Sequence, residues 1–283
     1  KWVDINIRPG CVAGQSTAGK QMSTWTYLAT ALGIAAGLMF VAWLVYRATD
    51  KASWVDAFWA GNLAVLAAWY AASATGDATR RVMVLAVGGL WGVRLAAHIA
   101  LRVAKGPEDP RYVTMRAEWR TNLPAKFLRF FMVQAVVDVV LSVPFLLMAL
   151  DTAPFGRLTE IAGLVLWALA LAGESVADAQ LAHFKRDPES RGRVCRVGLW
   201  SMSRHPNYFF EWLLWCAFAL MATGAPWGWV SWSAPAMMLY FLLRVTGIPL
   251  TEQQSLRSKG EEYRAYQREV AAFIPWISLK GKP

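Results

Sequence analysis

The chain has 283 residues, of which 56% are hydrophobic and 17% charged, with 16 tryptophans and a mean hydropathy of +0.32. This composition excludes a disordered chain, a collagen, a disulfide scaffold and an ordinary soluble enzyme. A formal charge of +10 could suggest nucleic acid. In a membrane protein, however, a basic excess is typical of cytosolic loops that face anionic lipid. We therefore expect an integral membrane protein that binds membrane lipid and no nucleic acid.

Seven segments are apolar enough to span a bilayer, which requires roughly 20 residues each. In chain order they are residues 26–46, 54–73, 82–104, 127–150, 158–181, 208–224 and 227–250. Turn and charge signals separate them, for example Asp50-Lys51 and Ala225-Pro226. The sequence thus predicts an all-α polytopic membrane protein with seven transmembrane helices.

The lysines and arginines between these segments are distributed unevenly. On one side of the predicted membrane lie 19 of them, and on the other side 6. The remaining four lie within spans: Arg94, Arg102, Arg129 and Arg244. Because positive loops stay in the cytosol, we expect the N-terminus outside and the C-terminus in the cytosol. The predicted parts are a polar tail (1–25), a seven-helix domain (26–250) with cytosolic loops 105–126 and 183–206, and a cytosolic C-terminal segment (251–283).

The three cysteines are too few and too scattered for a disulfide framework. They are Cys11, Cys195 and Cys216. No spacing of cysteine and histidine matches a zinc site. We therefore expect free thiols and no bound metal.

Ionisable side chains concentrate towards the cytosolic ends of the spans, where an unpaired charge costs a few kcal/mol or more. Arg94, His98 and Arg102 are four residues apart and share one face of the third span. Glu174 and Asp178 have the same spacing on the fifth. Carboxylates are too short to reach the headgroups as lysine and arginine do, so we expect them to pair with the arginine face. Arginines in excess of this pairing would bind an anionic ligand, such as a phosphate-bearing cofactor.

A dense polar motif, S-R-H-P-N-Y at residues 203–208, precedes the sixth span. Either Ser203 or Asn207 is a suitable N-cap for that helix. The free backbone N–H groups of its first turn, with Arg204 and His205, would then form an anion site. The alternative is a plain helix cap that anchors the chain at the lipid headgroups.

Several short motifs occur together from residue 108 onwards. They are E-D-P-R-Y at 108–112, E-x-x-x-D-x-Q at 174–180, S-R-H-P-N-Y at 203–208, T-G-I-P-L-x-E at 246–252, Y-x-x-Y at 263–266 and F-I-P-W at 273–276. With these motifs the chain resembles bacterial membrane reductases related to steroid 5-alpha-reductase, over about residues 50–277. The resemblance implies an enzyme of the bacterial inner membrane that binds NADPH in a cytosol-facing cavity. It further implies reduction of the carbon-carbon double bond of a 3-oxo-4-ene steroid or a similar enone lipid.

The resemblance also implies individual cofactor contacts. Asp178, Asn207 and Glu211 match cofactor-contacting positions, Glu252 replaces a histidine, and Lys185 replaces an arginine, which keeps the charge but loses the bidentate fork. Local chemistry and motif membership add Arg94, Arg102, Asp109, Arg111, Tyr112, Arg193, Arg204, His205, Tyr208 and Tyr263. Because a 2'-phosphate needs arginine or lysine partners, these loops favour NADPH over NADH.

The predicted chemistry requires a donor for the substrate carbonyl while hydride attacks the β carbon of the enone. The steroid enzymes use a Gln-Glu pair and a tyrosine. Here Asp56 stands for the glutamate, and Trp91 falls at the tyrosine position if Arg94 is aligned. Protonated Asp56 in an apolar setting would donate the hydrogen bond. Further catalytic candidates are Asn62, Tyr70 and His98.

Two other functions remain open from the sequence. Membrane methyltransferases that use S-adenosylmethionine share an R-H-P-x-Y segment, although their next helix ends in Glu-Glu and this chain has Glu252-Gln253. A lipid or sterol binder or transporter is the non-enzymatic alternative. Its membrane anchors would be Trp25, Trp54, Trp227, Trp229 and Trp276. No obligate protein partner is predicted.

Overall fold

The computed structural model describes residues 22–275. The predictions for residues 1–21, for Cys11 and for Trp276 lie outside this range. Within it the chain forms helices and no strand, which confirms the all-α prediction. The α-helices are α1 (Thr24–Thr49), α2 (Trp54–Ser73), α3 (Ala78–Lys105), α4 (Pro110–Trp119), α5 (Leu123–Leu141), α6 (Val143–Leu150), α7 (Leu158–Arg186), α8 (Pro206–Ala222), α9 (Ser233–Tyr240), α10 (Ile248–Lys259) and α11 (Glu261–Glu269).

Five helical stretches of the described chain are long and apolar enough to cross a membrane. They are Thr24–Thr49, Ala78–Lys105, Leu123–Leu150, Leu158–Arg186 and Gly228–Lys259. The second and sixth predicted spans are also helical, as α2 and α8, but they are not among the five. Helix α8 has 17 residues, and the 20 residues of α2 include the polar Asp56 and Asn62. The apolar helices therefore support an integral membrane protein, whereas the count of seven and the orientation remain predictions.

Two predicted spans are interrupted. The fourth divides at Ser142 into α5 and α6, because Pro144 in the first turn of α6 has no backbone N–H to continue the earlier helix. The seventh consists of a 3-10 turn (Gly228–Trp232), α9 and a π-helical turn (Phe241–Val245). Both segments are nevertheless among the five stretches that are long and apolar enough to cross a membrane.

The predicted cytosolic loops contain helix. Helix α7 continues to Arg186, so the beginning of the predicted loop 183–206 is its last turn and Lys185 projects from a helix. Loop 105–126 contains α4, whose N-cap Asp109 accepts a hydrogen bond from the backbone N–H of Arg111 (3.0 Å). These helices give candidate site residues defined positions.

Two close helix pairs, α2 with α3 and α7 with α8, organise the bundle. A Cβ atom on Gly92 would lie 2.8 Å from the carbonyl oxygen of Ala60, and one on Gly163 would lie 3.0 Å from that of Ala217. Only glycine permits this approach. The buried rings of Trp91 on α3 and Trp215 on α8 meet edge to face, 5.3 Å between centroids. Polar residues one turn from these rings, Arg94 on α3 and Glu211 on α8, therefore lie close to each other.

Candidate functional site

Three carboxylates meet where α7 and α8 pack against α3, and we call Glu174, Asp178 and Glu211 the acidic cluster. Glu174 is 4% exposed and lies 2.5 Å from the guanidinium of Arg94, measured from Oε1 to Nη2. Asn207 donates a hydrogen bond from Nδ2 to Oδ1 of Asp178 (3.4 Å). The helical spacing predicted from the sequence is thus realised, and Arg94 does pair with the fifth span.

Two indoles orient the third member of the cluster. Trp215 donates from Nε1 to Oε1 of Glu211 at 3.0 Å, and Trp91 donates to Oε2 at 3.4 Å. Trp91 is fully buried. Its N–H therefore faces a carboxylate, so the structure gives Trp91 a role in positioning Glu211 and does not support its predicted role at the substrate carbonyl.

The acidic cluster is incompletely satisfied. Within the described chain, Oε2 of Glu174 and Nε of Arg94 are buried and have no hydrogen-bond partner. Arg94 is the one arginine in that part of the chain that forms an ion pair with the cluster. His98 and Arg102 act on Asp178 electrostatically, but both are exposed. The predicted basic groups beyond those used in this pairing are present, because Arg102 acts on Asp178 without forming an ion pair with the acidic cluster in the described chain.

Basic side chains lie at the edge of this cluster, and we call Arg102, Lys185 and Lys259 the basic rim. Lys185 is within electrostatic range of Arg102, of Asp178 and of Lys259. Arg102 is 3.9 Å from the carboxylate of Asp109 and largely exposed. Sequence reasoning missed Lys259, because only the fold of α10 brings it near α7. Three basic side chains close together at one edge of a site are typical of an anion site.

A separate group surrounds Asp56 at the start of α2. Arg111 donates from Nη2 to Oδ2 of Asp56 (2.6 Å), and the Tyr112 hydroxyl donates to Oδ1 (2.7 Å). The predicted apolar setting of Asp56 is therefore wrong, and Asp56 acts here as an acceptor. Burial raises the pKa of Asp109, but its hydrogen bond and charge pairing with Arg111 outweigh burial and lower that pKa. Burial and the charge of Asp56 raise the pKa of Tyr112 well above its usual value.

The motif before α8 contacts the C-terminal segment through a polar cluster. We call its members the C-terminal latch: Arg204, His205, Glu252 and Gln267. Arg204 Nε and His205 Nε2 lie 2.7 Å and 3.3 Å from Oε1 of Glu252, and Gln267 donates to its Oε2 at 2.8 Å. Burial lowers the pKa of His205, against the opposing effect of Glu252. The predicted anion site formed by Arg204 and His205 is wrong, since both side chains face Glu252.

Neighbouring residues of the motif also make internal contacts. The hydroxyl of Ser203 donates to the carbonyl oxygen of Phe273 (2.8 Å), and neither Ser203 nor Asn207 caps α8. Tyr208 shares a hydrogen bond of 3.1 Å with Thr251. Burial and the charge of Glu252 raise the pKa of Tyr263 to about 12. Tyr208 and Tyr263 therefore support the latch, and nothing brings them to the acidic cluster.

The remaining candidates are dispersed. Asn62 donates to Oδ2 of Asp138 (2.7 Å) in the bundle core, and Tyr70 shares a hydrogen bond of 3.0 Å with Ser142. Both candidates are buried, and these hydrogen bonds connect them to α5 or its C-cap. Arg193 is exposed in the loop before α8. The structure thus separates Asn62, Tyr70 and Arg193 from the acidic cluster.

The fold and the site define an all-helical membrane protein with an acidic cluster and a basic rim contributed by several helices. The chain belongs to the family described as protein of unknown function (DUF1295), whose model matches residues 42–270. This family includes steroid 5-alpha-reductase-like proteins, which agrees with the resemblance at that level.

A relative with a similar sequence occurs in Schizosaccharomyces pombe. The chain is 29% identical over 223 residues to the uncharacterized protein C594.04c of that organism. The match covers 70% of this chain and 64% of the relative, so the chain spans less than two thirds of the length of that protein. No solved structure matches the chain significantly.

Proposed function

We propose that the protein is an NADPH-dependent membrane reductase that reduces the carbon-carbon double bond of an enone lipid, such as a 3-oxo-4-ene steroid. The cofactor would bind at the cytosolic end of seven membrane-spanning helices in a bacterial inner membrane. One observation carries the proposal. Asp178, Asn207 and Glu211, which the resemblance assigns to the cofactor, come together from α7 and α8 through the Asn207–Asp178 hydrogen bond and the electrostatic contact of Asp178 with Glu211.

The chemistry of the site suits this cofactor at both ends. The basic rim supplies Arg102 and Lys185 for the 2'-phosphate and the diphosphate. The acidic cluster and Asn207 supply acceptors and a donor for the carboxamide and hydroxyl groups. The unpartnered oxygen of Glu174 and nitrogen of Arg94 are the polar atoms that a bound ligand would satisfy.

The chain must also stabilise charge on the substrate oxygen. When bound, the reduced nicotinamide supplies a hydride to the β carbon of the enone, and the electron pair moves to the carbonyl oxygen. The group that faces this oxygen needs an N–H or O–H. Asp56 accepts hydrogen bonds from Arg111 and Tyr112, so we assign the donor role to these two residues. A solvent proton completes the product at the α carbon.

Cofactor binding is the first test. Purified protein in detergent should bind NADPH in a fluorescence titration, and Asn207→Ala should weaken binding about tenfold through loss of a partly buried hydrogen-bonding group. Gln253→Ala, an exposed amide on α10, is the matched control. Thermal unfolding shows whether each variant is folded. Binding of S-adenosylmethionine in place of NADPH would contradict the proposal and favour the methyltransferase alternative.

Turnover is the second test. NADPH oxidation should depend on an added enone lipid, and mass spectrometry should find a product that is two hydrogens heavier. Arg111→Met and Tyr112→Phe should lower this rate while leaving NADPH affinity within about threefold, because they act on the substrate oxygen. Enone binding without any NADPH oxidation would instead indicate a lipid binder.

A further inference from the structure

The two buried carboxylates of the acidic cluster, Glu174 and Glu211, share one arginine, Arg94, whereas Arg102 and Lys185 act on Asp178 at the exposed edge. Three carboxylates converge, whereas one guanidinium, that of Arg94, forms an ion pair with them in the described chain. Glu174 and Glu211 are 4% and 8% exposed, so water cannot screen them well. A buried excess of negative charge is costly, and a ligand with a positive charge would offset it.

The geometry of Glu211 keeps this negative charge in place. Its two oxygens each accept one indole N–H, from Trp215 and Trp91, and neither oxygen forms an ion pair. Neutral donors fix the carboxylate without neutralising it. Glu174 has one oxygen on Arg94 and one without a hydrogen-bond partner. Negative charge therefore remains available on two helices.

The position of the cluster indicates which part of the cofactor it faces. The phosphates belong at the basic rim, where Arg102 and Lys185 are exposed. The reactive ring must meet a lipid substrate, so it belongs deeper between the helices, on the side of Glu174 and Glu211. Nicotinamide is neutral in NADPH and carries a positive charge in NADP⁺. The two cofactor forms therefore differ in charge at the place where the chain has excess carboxylates.

We propose that Glu174 and Glu211 stabilise the positive charge of the oxidised nicotinamide, and thereby favour hydride donation by the bound cofactor. This inference rests on the proposed function. It assigns Glu174, which the resemblance does not assign to the cofactor, a role in setting the relative affinity for NADP⁺ and NADPH. The role is electrostatic, so it predicts an effect on that ratio and not on overall cofactor affinity.

The test is the ratio of two dissociation constants measured by calorimetry on the full protein in detergent. Glu174→Gln keeps the shape of the side chain and removes its charge. It should weaken the binding of NADP⁺ about tenfold more than the binding of NADPH, as expected for a nearby charge in a partly screened site. Glu118→Gln, an exposed glutamate of α4, should leave the ratio unchanged.

A second variant tests the same idea in the opposite direction. Arg94→Gln increases the excess of negative charge around Glu174 and Glu211. It should therefore strengthen the binding of NADP⁺ relative to that of NADPH. This sign would not result from loss of folding, which weakens both forms equally. Unchanged ratios in both variants would overturn the inference while leaving the proposed function intact.

A different result would overturn the proposed function itself. If neither nicotinamide form binds, the reductase assignment fails, and the inference fails with it. S-adenosylmethionine and S-adenosylhomocysteine provide the distinguishing measurement, because only the former has a positively charged sulfur. The wild type could bind S-adenosylmethionine more tightly than S-adenosylhomocysteine, and Glu174→Gln could abolish that preference. This result would reassign the acidic cluster to a methyl donor.

Discussion

Two of the places where the described chain buries charge are built differently. One is the acidic cluster. The other, which we call the outer knot, consists of Arg80, Asp151, Arg157 and Glu160 and lies on the side predicted to be outside. Arg80 is 1% exposed, with Nε 2.6 Å from Oε1 of Glu160 and Nη1 donating to the carbonyl oxygen of Asp151 at 2.8 Å.

Every charged group of the outer knot has partners. Oε2 of Glu160 accepts from the backbone N–H groups of Gly156 (2.8 Å) and Arg157 (2.9 Å), and Arg157 pairs with Asp151. Two arginines face two carboxylates. The acidic cluster has three carboxylates, one paired arginine and unpartnered buried atoms. We therefore expect the complete network of the outer knot to stabilise the fold and the incomplete one of the acidic cluster to bind a ligand.

Removing one charge from the outer knot should have the largest effect. Glu160→Gln removes the nearer counter-charge of the buried Arg80 guanidinium and leaves the carboxylate of Asp151 at 3.6 Å, so it should lower the free energy of unfolding by about 2–4 kcal/mol. Denaturation of the purified protein in detergent measures this loss. Glu118→Gln on the surface of α4 should change it little, and a Glu160→Gln protein of full stability would contradict the contrast between the two places.

The basic rim should account for cofactor choice. Lys185→Gln removes a charge from the predicted 2'-phosphate site. It should weaken the binding of NADPH about tenfold and leave the binding of NADH almost unchanged. Titration with both cofactors gives the ratio. Equal weakening of both would place Lys185 at a shared part of the cofactor and not at the 2'-phosphate.

A glutamate-to-glutamine substitution in the acidic cluster should have the opposite effect on stability from the one in the outer knot. Glu174→Gln relieves repulsion among three carboxylates, so it should raise the free energy of unfolding of the cofactor-free protein by about 0.5–1 kcal/mol. Denaturation of Glu160→Gln and Glu174→Gln under identical conditions makes the comparison direct. Destabilisation of both would show that the cluster is structural.

The smallest expected effect is that of mild acid, which should destabilise the C-terminal latch but not the outer knot. The folded pKa of His205 lies below its unfolded value, so its contribution to stability is complete above about pH 6.5 and decreases as pH falls from there towards the folded pKa. The pKa of Asp151 is also lowered, because the Arg157 hydrogen bond outweighs burial. Its contribution is complete above about pH 4 and is lost only below that.

Limited proteolysis measures this difference. Cleavage after α10 should increase as the pH falls from about 7.5 to about 5.5, while the loop 151–157 stays protected. His205→Asn should remove the pH dependence of the cleavage. Equal sensitivity at both places would mean that His205 does not control the latch.

The sequence predicted the helices and their apolar character well, because both follow from neighbouring residues. The spacing of Glu174 and Asp178 places them on one face of α7 wherever that helix packs. The motif before α8 supplied Asn207 and Glu211. Interruptions at Ser142 and in the seventh segment were less visible, since apolar composition alone does not show where a helix breaks.

Only the tertiary structure decided which charges pair. Arg204 faces Glu252 and Asp56 faces Arg111, although the sequence favoured other roles for Arg204 and Asp56. An ion pair between distant residues depends on which helices approach each other, and that depends on small residues such as Gly163 at the α7–α8 contact. Local periodicity therefore determined the helices and their polar faces. Helix packing determined how charges are balanced in the outer knot and in the acidic cluster. The contrast between the two regions therefore comes from the tertiary structure.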